Sequence, residues 1–329
     1  MNFSRYMREW LYGRDGYYSK YRSIGKEGDF YTAVSASGFF GASIANHFMR
    51  CLRDTGVTDD IWLIEIGAHR GYLLADMIEW IYSCDPELVS KVNFATIERH
   101  EDLRKVQTDY FYERFGNDIR LVQFASLEEI DVSYAFFVSN EILDAFECEL
   151  YNMGKQAIVM NGEIEWIDAE KALVNFAEKY GIQRGEIAVG YEEFAEKISK
   201  SADRFDFVTF DYGEKYPRND FSIRIYRDHH TYPLFDEEVD LSGMFKTSDI
   251  TYDVNFAHAI DAFVSAGASV QAYETQARAL VRFGIIDILE QYMKVADNTQ
   301  YAYQSERVKT LLAPTIMGDR FKLLHTACR

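Results

Sequence analysis

The sequence predicts an α/β protein built on a Rossmann-like sheet of parallel strands, and three stretches carry that expectation. Ile61-Trp-Leu-Ile-Glu-Ile-Gly67 is an apolar run with one acid that closes on glycine, and Leu73, Leu74, Met77, Ile78 and Ile81 continue it at helical spacing. Val92-Asn-Phe-Ala-Thr-Ile-Glu98 is a second apolar run, so strand, helix and strand follow in the order of a right-handed crossover between parallel neighbours. Ala135-Phe-Phe-Val-Ser-Asn140-Glu141 and Phe205-Asp-Phe-Val-Thr-Phe-Asp211 repeat the strand pattern further along.

From the N-terminus, Phe3, Tyr6, Met7, Trp10 and Leu11 recur at helical intervals and describe a short amphipathic helix. Two glycine- and aromatic-rich stretches follow, Tyr12-Gly-Arg-Asp-Gly-Tyr-Tyr and Ile24-Gly-Lys-Glu-Gly28-Asp29-Phe30-Tyr-Thr. The second reads either as a surface turn leading into the next helix or as a flap over a ligand. A helix is expected over 33–53, with Phe39, Phe40, Ile44, Phe48 and Leu52 on its apolar side. Beyond the second core strand come a helix over 103–115, a strand over 119–125 and an acidic connection. Residues 150–166 alternate as strand pieces around Met153-Gly and Asn161-Gly, the latter a hairpin signal, and helices are expected over 169–180 and 191–201. A short strand at 223–227, a mostly helical 228–316 and a closing strand from Phe321 complete the chain. The organisation expected is helices and loop over 1–58, a core over 59–228 with an insertion at about 150–202, a helical insertion over 229–316, and a last core strand over 317–329.

With 329 residues, 48% hydrophobic and 27% charged, the chain has the profile of a globular protein with a large core. The net charge of -18 repels phosphate backbones and argues against nucleic acid, while permitting a cationic substrate. Cys51, Cys84, Cys148 and Cys328 match no zinc or redox spacing and read as buried free thiols; His229-His230 lacks a third ligand at a recognisable spacing, so no metal is expected. No apolar run approaches the ~20 residues that span a bilayer, and no signal segment opens the chain. Membrane insertion is not expected, and the cytoplasm is the expected location.

The corner decides the ligand class. A dinucleotide fingerprint requires Gly-x-Gly-x-x-Gly, whereas Gly67-Ala68-His69-Arg70-Gly71 spaces its glycines as Gly-x-x-x-Gly behind Glu65. That pattern, with Glu98 closing the next strand, suits S-adenosyl-L-methionine: the turn faces the methionine part, Glu98 faces ribose hydroxyls, and no pyrophosphate needs a cradle. Asn140 and Glu141 end an apolar strand where ligands of open parallel sheets bind, with Asp144 just beyond; the competing reading is that Asn140 caps a following helix.

Taken end to end, the chain resembles the MidA family of S-adenosyl-L-methionine-dependent methyltransferases. The likeness runs through Gly16-Tyr-Tyr, Gly28-Asp-Phe-Tyr-Thr, Glu65 to Gly71, Ser139-Asn-Glu-Ile-Leu-Asp-Ala, Asp211-Tyr-Gly, Arg224 to His229, Asp249-Ile-Thr and Met317-Gly-Asp-Arg-Phe-Lys. The resemblance implies a class I methyltransferase sheet with an antiparallel last strand, helices on both faces and family insertions. It also implies methylation of an arginine on a partner protein, and leaves the oligomeric state open, a homodimer included. Carried over by position, Glu65, Gly67, Ala68, Gly71, Glu98 and Asn140 would hold the cofactor, Gly28, Asp29 and Phe30 would close over it, and Asn140, Glu141 and Asp144 would face the acceptor. A methyltransferase-fold assembly protein with little or no catalysis, and a small-molecule methyltransferase, are the alternatives. The chain departs from the family at His69, where a glycine is usual, at Phe146-Glu147, where proline tends to follow, and at Asp253 and Asn255.

The implied chemistry is coherent. A sulfonium and a guanidinium are both cations, so bringing them together needs carboxylates nearby. A carboxylate gripping two guanidinium N–H groups localises the charge and frees the third nitrogen to attack, and Glu141 is the candidate for that clamp.

Overall fold

A computed structural model describes residues 1–19 and 32–329, which fall into two compact units. Of the described residues, one comprises 32–140, 195–211 and 263–329, the other 1–19, 141–194 and 212–262.

The first unit holds the central sheet. Its strands lie in the order Ser269–Thr275, Phe321–Cys328, Ala202–Glu214, Val132–Asn140, Ile61–Ile66, Val92–Ile97 and Leu121–Phe124. The five on the Leu121–Phe124 side, through Ala202–Glu214, run parallel, and Phe321–Cys328 runs antiparallel to Ser269–Thr275. Leu63, Ile64, Phe136, Phe137, Phe205 and Phe207 are all buried. Near-continuous apolar runs of this kind are what a sheet covered on both faces requires. The helix Gly38–Thr55 sets Phe40 against Phe210, with ring centroids 5.0 Å apart, and Phe48 against Phe136 at 5.2 Å.

Parts of this unit differ from the sequence expectation. The helix expected over 33–53 is two helices, Ala33–Ala36 and Gly38–Thr55, because Ser37 takes an extended conformation and its hydroxyl caps Phe39 N–H. Thr32 caps the first helix in a reciprocal pair with Ser35. The strand Ser269–Thr275 falls inside the stretch expected to be mostly helical; it is an edge strand with exposed residues, so it lacks the apolar alternation that marks a half-buried strand. Of the four cysteines expected to be buried, Cys51 and Cys148 are, whereas Cys328 is half-buried and Cys84 is exposed at the end of its helix.

The second unit is built on an antiparallel sheet in the order Glu163–Asp168, Lys155–Met160, Cys148–Asn152 and Arg184–Ala188. Both of its tight hairpins turn on two consecutive left-handed residues, Met153-Gly154 and Asn161-Gly162, the geometry that matches strand twist. The helix Phe3–Leu11 buries Phe3, Tyr6, Met7, Trp10 and Leu11, and Trp10 Nε1 donates to Ser248 O at 2.7 Å. A smaller sheet of His230–Pro233, Arg224–Arg227 and Asp249–Thr251 completes this unit. Among the described residues no helix is long and apolar enough to cross a membrane.

Candidate functional site

The glycine corner takes its shape from backbone conformation. Gly67, His69 and Gly71 have φ of 70°, 48° and 82°, and Gly71 N–H donates to Ala68 O at 2.6 Å to close the turn. A Cβ on Gly71 would lie 2.7 Å from Phe111 Cε2, so both the angle and the close approach require glycine there. His69, where glycine is usual in the resembling family, keeps the left-handed conformation. Its carbonyl accepts Gln107 Nε2 at 2.9 Å. Gly67 is exposed and Ala68 buried.

Glu65, 5% exposed, reaches past the turn and accepts Leu74 N–H at 3.0 Å. That bond satisfies one of the donors that a helix beginning at Tyr72 leaves open, since Gly71 offers no side chain to do so. Burial raises the Glu65 pKa to about 8; the Leu74 N–H opposes the shift and Asp76 adds to it. Glu65 is therefore a brace under the turn.

Register brings the other cofactor candidates level. Ile66 is paired with Ile97 on one side and Ser139 on the other, so Gly67, Glu98 and Asn140 each lie one residue past a matched row at the C-terminal end of the parallel strands. Glu98 is half-buried, and its carboxylate accepts His100 N–H at 2.8 Å. The capping reading of Asn140 does not apply, because the strand runs on into a three-residue turn, Leu143–Ala145, and no α-helix begins there. Gly28, Asp29 and Phe30 lie outside the described residues.

Glu141 and Asp144 belong to the second unit. Glu141 has a φ of 54°, a left-handed angle that costs a bulky residue of order 1–3 kcal/mol and that clusters at functional positions. Asp144, 4% exposed, accepts a short hydrogen bond from Tyr212 OH, and Tyr212 Oη lies 2.6 Å from Thr251 Oγ1. Burial raises the Asp144 pKa to about 6, against the pull of Tyr212 and Arg224. The Arg224 guanidinium lies over the Tyr212 ring, 4.7 Å from its centroid, and donates to Asp253 at 2.8 Å. Burial opposes the Arg224 charge, but Tyr212, Tyr226 and Asp253 hold its pKa above the ordinary guanidinium value. Nearby in sequence, Asp249 is buried and accepts Tyr18 OH at 2.9 Å.

Sequence reading gives Tyr212, Arg224, Asp249 and Asp253 no role. Asp211-Tyr-Gly, Arg224 and Asp249-Ile-Thr stand out there only as motifs, and that is the one signal of the cluster. Polar residues bunched in short motifs far apart in the chain are what a buried polar cluster looks like before folding brings it together.

The chain has known relatives. A family described as "Putative S-adenosyl-L-methionine-dependent methyltransferase" matches residues 43–274. The Caenorhabditis elegans "Protein arginine methyltransferase NDUFAF7 homolog, mitochondrial" is 23% identical over 349 residues, covering 95% of this chain and 78% of its own. A crystal structure from Burkholderia thailandensis with S-adenosyl-homocysteine bound has a TM-score of 0.84 at 23% identity, covering 100% of this chain and 88% of that one. A second structure from the same organism gives 0.82 at 24% identity, with 100% and 87% covered. At these identities the solved structures speak for the fold.

Proposed function

The chain belongs to this family of S-adenosyl-L-methionine-dependent methyltransferases, and from that premise we propose that it methylates an arginine side chain of a partner protein. The observation that carries the finer reading is the relative named as a protein arginine methyltransferase, which aligns with 95% of this chain. The glycine cradle fits the cofactor: Gly67 is exposed and left-handed at a strand end, and no Cβ stands on it. S-adenosyl-L-methionine, when bound, supplies an electrophilic methyl group carried on a sulfonium.

In this reading the backbone of Gly67 to Gly71 receives the methionine part, Glu98 accepts hydrogen bonds from ribose hydroxyls, and Glu65 keeps the turn rigid. Asn140 serves the cofactor at the strand end. Glu141, one peptide bond further on, grips two N–H groups of the acceptor guanidinium, so that the third nitrogen attacks and later gives up its proton. Asp144, already engaged by Tyr212, holds this segment in place. The cytoplasm remains the proposed location, although the worm relative is named as mitochondrial.

Glu141→Gln tests the assignment, because it keeps the shape and removes the charge. Calorimetry with S-adenosyl-L-methionine should show affinity within about threefold of the parent, while methyl transfer falls at least about 100-fold. Loss of cofactor affinity instead would overturn the clamp. Mass spectrometry of proteomes with and without the gene should show one protein arginine differing by ~14 Da or ~28 Da.

A further inference from the structure

The first unit contains a second cluster of chemically capable side chains that methyl transfer does not use. His47 and Cys51 stand one helical turn apart on the helix Gly38–Thr55, and His325 comes from the strand Phe321–Cys328. All three are buried. His47 Nε2 is 3.2 Å from His325 Nδ1 and 3.7 Å from Cys51 Sγ, and the three atoms lie within 4.8 Å of one another.

From these distances we propose that His47 Nε2, His325 Nδ1 and Cys51 Sγ form a binding site for one zinc-type divalent ion. Tetrahedral zinc with N at about 2.0–2.1 Å and S at about 2.3 Å sets N···N edges near ~3.3 Å and N···S edges near ~3.6 Å. The His47–His325 and His47–Cys51 separations match those edges, and the Cys51–His325 pair, within 4.8 Å, closes on binding. The rest of the cluster is arranged as metal histidines are. His325 Nε2 lies 2.7 Å from Asp206 Oδ1, the carboxylate–histidine pairing that fixes a ligand's tautomer and turns its other nitrogen toward the ion. Asp206 is itself fixed by Tyr134 OH at 2.8 Å and by both terminal guanidinium nitrogens of Arg329, at 2.7 and 2.8 Å. His47 is stacked on Phe283 with ring centroids 4.1 Å apart, so its ring is held.

Cys51 binds as its thiolate, so uptake of the ion displaces the thiol proton to the solvent. Binding on Nε2 also places the His47 proton on Nδ1, a buried atom with no hydrogen-bond partner among the described residues. The sequence conceals this site because the ligands are separated as His-x-x-x-Cys and a histidine 274 residues beyond Cys51, at 51 and 325.

The test uses the full chain, stripped with chelator and shown to be folded by circular dichroism. Zinc should bind at about one equivalent with proton release, and cobalt(II) should give the visible bands of a tetrahedral site with a thiolate charge-transfer band. Cys51→Ala should abolish the charge-transfer band, and Asp206→Asn should weaken zinc about 10–100-fold. Cys84→Ala, which removes the exposed thiol, should change neither. No stoichiometric zinc uptake by the folded chain, or a charge-transfer band that survives Cys51→Ala, overturns the proposal. Binding of copper(I) without zinc overturns it as well.

Discussion

The glycine corner and the Asp144–Tyr212–Arg224 cluster solve opposite problems. The corner has to offer backbone to a ligand, so it is made of residues with little or no side chain, and its one ionisable brace, Glu65, is held largely neutral by burial. The cluster has to keep charge inside protein, so each group in it is matched: Asp144 by Tyr212, Asp253 by Arg224 and Arg218. The first fails when atoms are added and the second when they are removed. That contrast says how each can be broken.

The largest effect is expected from Arg224→Ala, which takes the largely buried cation away from Asp144 and leaves Asp253 only the exposed Arg218. Breaking a buried pair from one side costs about 3–5 kcal/mol, so urea unfolding should show a loss of that order. A loss below ~1 kcal/mol would mean the cluster is solvated and its charges uncoupled. Next comes Glu65. Its folded pKa lies above the ordinary carboxyl value of 4.5, so the folded state holds the proton more tightly than the unfolded chain. Stability from this group is present below pH 4.5 and is lost as pH rises toward about 8, by at most about 1.4 kcal/mol per pH unit. Asp144 acts in the same direction up to about pH 6. Glu65→Gln should flatten the decline between pH 6 and 8, read from unfolding midpoints at several pH values.

Legibility in the residues alone divides the same way. The strand Ile61–Ile66, the turn at Gly67 to Gly71 and the helix from Tyr72 are consecutive, so their apolar period and glycines are visible at once. The level placement of Gly67, Glu98 and Asn140 is legible too, because parallel strands with crossover helices leave little choice of register. The cluster draws on residues 18, 144, 212, 224, 249, 251 and 253, and no local period links them. The break at Ser37 escapes for a different reason. Helical apolar spacing continues through it, while the serine hydroxyl favours a cap over helix continuation.

Two smaller substitutions separate shape from side chain within the corner. Gly71→Ala places a methyl against Phe111 in a left-handed residue and should cost about 2 kcal/mol, with cofactor affinity falling in parallel. The smallest effect belongs to His69→Gly. Relief of a left-handed φ of 48° is offset by the greater freedom glycine gives the unfolded chain, so the net change should stay within about 1 kcal/mol by thermal unfolding. Because the turn already has the conformation glycine would adopt, S-adenosyl-L-methionine affinity should move less than about threefold by calorimetry. A gain of tenfold or more would show that the imidazole occupies room the cofactor needs. In that case this chain's departure from its family would lie in the side chain, not in the path of the backbone.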